Sequence, residues 1–261
     1  MPELPDLEVF RGNIFAKLRS KRLVGVEVFD QNKMITPKQF LLDELTGRDL
    51  LCIDRVGKEL FFDFGDGKVI AAHLMLSGVI SIVSQEAVNA IKFKIFSMRF
   101  EQETVVFSDR GGLCTVKYKP PAGKAPDALS SAFTLEYFLR TAHGKPRKNI
   151  KEFLIDQSIV KGIGNAYADE ILWAARISPY SLTGKIPQDA LIVLYHEINT
   201  VLTDAIASIK QFSPDIISGE ERRFLKVHNK AVKATATGYP IIVERVASKI
   251  TYYTKEQVLY V

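Results

Sequence analysis

Near the start of the chain, apolar side chains fall at Leu7, Phe10, Ile14, Phe15 and Leu18. That three- and four-residue spacing is one face of a helix, so the segment after Pro5 is predicted to form an amphipathic helix that pins the N-terminus to the body of the protein. From residue 23 to about residue 119 the period changes. Short β-rich runs follow one another (VGVEVF, LLCIDRV, ELFFDF, VIAAHLM, VISIV, IKFKIFSMRF, TVVFS and CTVKYK), punctuated by Gly, Asp and Asn and interrupted by one short helix near Pro37. This is the pattern of a β-sandwich. The stretch KPPAGKAPDALSS, residues 119–131, is rich in Pro, Ala and Ser and has no apolar period, which predicts a linker. Helical spacing then returns over 135–142, 149–157, 166–176 and a long segment, 188–212. The chain ends in a second β pattern, with TGYPIIVERV and KITYYTKEQ as the strands of a hairpin. The predicted class is α+β. Residues 1–119 form an N-terminal helix and β-sandwich domain, 120–131 a linker, 132–225 a helical domain and 226–261 the terminal hairpin.

Composition narrows the picture. A chain of 261 residues with 47% hydrophobic and 25% charged side chains has enough apolar surface for two cores and is not of the disordered class. The net charge of +5 gives a polyanionic partner modest support, because 30 acidic side chains are mixed among 35 basic ones. No stretch reaches the roughly 18 consecutive apolar residues of a membrane span. The start, MPELPDLE, is acidic where a signal peptide is basic, so a cytoplasmic protein without membrane association is expected. Cys52 and Cys114 lie in apolar, strand-like surroundings without CxxC spacing and read as small buried hydrophobes. His73, His143, His196 and His228 are scattered and read as structural, and no nucleotide fingerprint is present, so no cofactor or metal is expected.

The chemistry concentrates in KNIKEFLIDQSIVKGIGNAYADEILWAARISP, residues 148–179. One helix runs into a turn built on Gly162 and Gly164, and a second helix opens at Asn165. Such a turn offers free N–H groups, an Asn cap and the positive end of a helix dipole, together a seat for a phosphate. Lys145, Arg147, Lys148 and Lys151 lie close by and suit a nucleic-acid backbone. The same residues would also serve an ordinary helix hairpin with a solvated charged face.

Together with MPELPDLE, VGKELFFDF, HLMLSG and the terminal hairpin, this segment resembles the formamidopyrimidine-DNA glycosylase and endonuclease VIII family, whose members begin Pro-Glu-Leu-Pro and carry a helix-two-turn-helix. The resemblance spans nearly the whole chain. It implies a base-excision DNA-repair glycosylase with abasic-site lyase activity, acting as a monomer on damaged DNA held in the cleft between the two domains. Pro2 becomes the nucleophile. Met before Pro is normally excised, leaving a secondary amine with a pKa of about 8 and a usable neutral fraction. Glu3 is implied as the general acid and base. Lys58 corresponds to a hairpin lysine that reaches the phosphate beside the lesion, and Lys151 and Asn165 to positions facing the damaged strand.

The chain departs from the family pattern in several places. Ala234, Thr237, Thr254 and Gln257 stand where many members carry four zinc-binding cysteines, so a zincless finger is expected, held by packing of Tyr239, Ile241, Val243, Tyr252 and Tyr253. Lys249 takes the place of a finger arginine, keeping the charge and losing the bidentate fork. Leu76, and Gly112 with Leu113, replace the side chains that fill the gap left by an everted base, with Arg110 as a substitute cation. A smaller wedge offsets less of the unstacking cost and implies a preference for lesions already unpaired or single-stranded. SPDIISGEERRF, residues 213–224, is a short counterpart of the loop that covers oxidised purines, and Asp6 stands for a family glutamate. The alternative reading is a weakened or inactive binder of damaged or distorted DNA.

Overall fold

The computed structural model describes residues 1–121, 123–246 and 248–261. Its elements are α1 (Leu4–Leu18), β1 (Leu23–Val28), α2 (Lys38–Leu45), β2 (Cys52–Val56), β3 (Glu59–Asp63), β4 (Val69–His73), β5 (Gly78–Val83), β6 (Lys94–Phe100), β7 (Thr104–Asp109) and β8 (Thr115–Tyr118). They continue as α3 (Leu135–His143), α4 (Ile150–Ile155), α5 (Asn165–Ala174), α6 (Gln188–Phe212), β9 (Ile242–Val246) and β10 (Lys249–Tyr253). The class is α+β.

The chain forms two compact units. The first comprises Met1–Pro2, Asp6–Ala122 and Ser213–Glu220; the second comprises Glu3–Pro5, Gly123–Phe212 and Glu221–Val261. In the first, two four-stranded antiparallel sheets, ordered β1-β6-β7-β5 and β2-β3-β4-β8, make the sandwich. Phe62 of one sheet meets Phe107 of the other edge to face at 5.8 Å, and Phe96 packs on Phe107 at 6.2 Å. Leu7, Phe10, Ile14 and Leu18, the face read from the spacing of α1, close this core. The segment 213–220 joins it because Asn13 Nδ2 donates to the carbonyls of Pro214 and Ile216 at 2.7 and 2.8 Å, while the Ile80 N–H donates to Ser218 Oγ at 3.2 Å.

In the second unit, α6 buries Leu191, Leu194, Ile198 and Leu202 in a core shared with α3, α4 and α5, and Ile209 is buried as well. The length and composition of α6 alone would also suit a membrane span. Several boundaries differ from expectation. The predicted linker ends early: Ala128 is buried in the second core, its N–H bonds the Lys161 carbonyl, and the Lys161 N–H bonds that of Pro126. Ala122, within that segment, lies outside the described residues. The strand expected from TGYPIIVERV begins only at Ile242. Gly238 at φ +87° turns the chain and Pro240, which has no N–H to donate, forms an isolated bridge with Ala234. The terminal hairpin also belongs to the second unit rather than standing apart.

Candidate active site

Glu3 and Leu4 shape the Gly162 and Gly164 turn. The buried Glu3 carboxylate sits at the N-terminus of α5, accepting the N–H groups of Gly164 at 2.7 Å, Ala166 at 2.9 Å and Tyr167 at 3.4 Å. These are donors that a helix start leaves unsatisfied, and the dipole favours an anion there. Both glycines are required by close approach. A Cβ on Gly164 would lie 2.3 Å from the Glu3 carboxyl carbon, and Gly162, at φ +104°, would meet the Leu4 side chain at 2.5 Å. The N–H groups expected to seat a phosphate at this turn are therefore taken by the chain's own carboxylate. Asn165 is not the cap. Gly164 holds that position, and Asn165 Nδ2 donates to the Ile250 carbonyl at 2.8 Å. Its Oδ1 is buried and has no hydrogen-bond partner among the described residues.

Lys151 also departs from expectation. Its ammonium is fully buried, 2.7 Å from Asp169 Oδ1 and 2.6 Å from Thr251 Oγ1, so it is placed to tie α4, α5 and β10 together rather than to meet a phosphate. Burial pulls its pKa below the ordinary lysine range against the attraction of Asp169. Asp169 Oδ2 lies 2.7 Å from His228 Nδ1 and accepts the Tyr252 N–H at 3.0 Å, and the His228 ring packs on Tyr252 at 4.5 Å. Beside it, the Glu170 carboxylate accepts the N–H groups of Lys226, Val227 and His228. Burial raises the pKa of Glu170.

Other predicted residues lie in the sandwich unit. Pro2 is buried, and the terminal amine of Met1 pairs with Glu220. Lys58 occupies, with Gly57 at φ +63°, the two-residue turn between β2 and β3, and is buried rather than solvated. His73, whose Nδ1 accepts the Met75 N–H at 3.0 Å, has its pKa lowered first by burial and also by Lys58 and Lys117, against Glu59. Leu76 is 63% exposed and Leu113 42%, and Arg110 is exposed as well. Asp109 connects their two loops. Its carboxylate accepts the N–H groups of Gly111, Leu113 and Cys114 at 2.8, 2.6 and 2.7 Å and the Ser77 hydroxyl at 2.5 Å. Burial pushes the Asp109 carboxyl up, and these donors bring it below the usual range. Gly112 adopts φ +65°, a conformation that an arginine would adopt only with strain.

On the helical unit, Lys145 and Arg147 are exposed, whereas Lys148 pairs with Asp156 at 2.7 Å. Lys249 opens β10, exposed and opposite Val246. The packing expected to hold the hairpin is only partly present. Tyr252 is buried, but Tyr239 and Val243 are about half exposed, and polar contacts take over. Among the described residues no group of three or more His, Cys, Asp or Glu side chains is placed for a metal ion. Sequence reasoning missed Asp109, Asp169 and Glu170. The signal for two of them was present: the run Ala-Asp-Glu-Ile-Leu-Trp-Ala puts adjacent carboxylates inside an otherwise apolar helix.

Two family profiles match the chain: formamidopyrimidine-DNA glycosylase N-terminal domain over residues 1–115, and formamidopyrimidine-DNA glycosylase H2TH domain over 124–214. A formamidopyrimidine-DNA glycosylase of Acidithiobacillus ferrooxidans is 31% identical over 271 residues, covering 98% of this chain and 99% of the relative. That of Lactococcus lactis subsp. lactis is 28% identical with 97% of each chain covered. Among solved structures, wild-type Lactococcus lactis Fpg bound to DNA containing an oxidized pyrimidine superposes with a TM-score of 0.86 at 25% identity, over 98% of this chain and 99% of that one. A mutant of the same Fpg in complex with Fapy-dG DNA gives 0.85, also at 25% identity and with the same coverage.

Proposed function

The chain belongs to the formamidopyrimidine-DNA glycosylase family, and on that premise we propose that it removes a damaged base from DNA and then cuts the strand at the abasic site, using the amine of Pro2. The observation that carries the reading is the Glu3 carboxylate, buried next to Pro2 in the chain and held by three N–H donors. A carboxylate fixed in this way is pre-positioned for proton transfer.

Removal of Met1 converts the Pro2 nitrogen from an amide into a secondary amine. Its lone pair forms a bond to C1′ while the glycosidic bond breaks, the electron pair leaving with the base, which takes up a proton from water; the amine passes its own proton to the Glu3 carboxylate. Glu3 protonates the ring oxygen as C1′–O4′ opens, and the nitrogen lone pair closes to an iminium. That cation acidifies the 2′ hydrogen. Loss of the 2′ proton forms the C1′–C2′ enamine, whose electrons expel the 3′ phosphate.

Lys58, Asn165 and Lys249 hold phosphates, and Leu76, Leu113 and Arg110 occupy the space left by the everted nucleotide. Lys151 acts from within by holding β10. With Gly112 in place of a bulkier wedge, excision is expected to be faster from bubbles and single strands than from fully paired duplexes. Equal single-turnover rates on the two substrates would remove the void-filling argument.

The direct test is borohydride trapping on a duplex with one abasic site, after intact mass has shown that Met1 is absent. A covalent adduct that is lost in Pro2→Ala supports the iminium route. Tight binding without an adduct, from protein shown to start at Pro2, favours instead a binder of damaged DNA that does not cut, the reading to which the reduced loop at Gly112 and Leu113 points.

A further inference from the structure

One carboxylate collects the end of α5, the turn before β9 and the end of β10. Glu256 Oε1 accepts the Thr237 hydroxyl at 2.6 Å and the Arg176 guanidinium. Its Oε2 accepts the Thr235 hydroxyl at 3.2 Å, the Thr254 hydroxyl at 3.1 Å and the indole N–H of Trp173 at 3.2 Å. The side chain is 5% exposed. A carboxylate has about four lone-pair sites, so five donors saturate it. Two of the donors, Thr237 and Thr254, stand at positions that the sequence resemblance sets against zinc-binding cysteines. A third such position, Gln257, extends the network, its Oε1 accepting the Thr254 N–H at 2.8 Å and its Nε2 donating to the Ile177 carbonyl at 2.8 Å.

We propose that Glu256 is the positioning residue of the terminal hairpin, gathering three segments on one anion as a metal ion would, and so holding Lys249 where it grips DNA. The grip on DNA rests on the function proposed above; the hub itself does not. The hydroxyl of Thr237, with further help from Arg176, Trp173 and Thr254, holds the Glu256 carboxyl at about 2, so it stays ionised at neutral pH. A glutamine in its place would keep one acceptor and turn an NH2 group toward converging donors.

Trp173 is the single tryptophan of the chain, so the hub carries its own fluorescent reporter. The experiment compares wild type, Glu256→Gln and Thr237→Val, with hydrogen exchange over α6 reporting whether the helical core remains folded. Expected in Glu256→Gln are a shifted Trp173 emission, faster amide exchange across 242–253 with α6 still protected, and KM for abasic-site duplex raised about tenfold or more with kcat within about twofold. Thr237→Val, which removes one donor and leaves the anion, should shift the same observables less. Wild-type emission and hairpin exchange in Glu256→Gln would overturn the hub. An opened hairpin with unchanged KM would overturn its part in gripping DNA. If wild type itself failed to bind abasic DNA, the functional reading would fall, while emission and exchange would still decide the hub.

Discussion

Glu3→Gln is expected to slow base excision and strand cutting by roughly 10²–10⁴-fold, the usual share of a positioned acid and base. Glutamine can still accept from one N–H of α5 but cannot deliver or take a proton, and its NH2 group would face donors rather than acceptors. Gly164→Ala should give a similar loss by another route, because the added methyl would stand 2.3 Å from the Glu3 carboxyl carbon and must push the carboxylate away. Single-turnover rates on a damaged-base duplex and on a preformed abasic site would be measured beside DNA affinity and thermal unfolding. Rates that match wild type in Glu3→Gln would take Glu3 out of the chemistry. A loss of rate tracking a loss of folded protein would make its role structural.

Asp169→Asn should cost about 3–5 kcal/mol, because it leaves the buried Lys151 ammonium without its counter-ion. Both side chains are fully buried, so water cannot replace the missing partner. Thermal unfolding of the helical unit should fall by roughly 6–20 °C, at about 2–4 °C per kcal/mol for a chain of this size. The paired replacement Lys151→Met with Asp169→Leu should destabilise far less than the sum of its single changes, since an apolar pair carries no desolvation penalty. Additive effects in that cycle would show that the two groups do not depend on each other. The loss should extend to DNA binding, because Asp169 also holds His228 and the Tyr252 N–H and so anchors β10 beside Lys249.

Much of the fold was legible along the chain because each element repeats at its own period. Short β-rich runs punctuated by Gly, Asp and Asn marked the eight strands of the sandwich, and the spacing of Leu191, Leu194, Ile198, Leu202 and Ile209 marked α6 from its first residue to its last. The errors fell where hydrogen bonds from distant segments set the ends. Residues 126–131 read as linker by composition, yet the chain there bonds to residue 161. Asn165 read as a cap, yet Glu3, more than 160 positions away, supplies the cap from outside.

By itself, the sequence determined the periods, the Gly162 and Gly164 turn, and the presence of Pro2, Glu3, Lys58 and Lys249, because these are local properties or a matter of residue identity. Only the tertiary structure decided which charges meet. It buried Lys151 against Asp169, seated Glu3 on the N–H groups expected to hold a phosphate, tied the loops that carry Leu76 and Leu113 to one anchor at Asp109, and made Glu256 the centre of the hairpin. A carboxylate carries no mark of its partner in the linear order. Its role is set by the donors that folding brings within about 3 Å and by how much water it excludes.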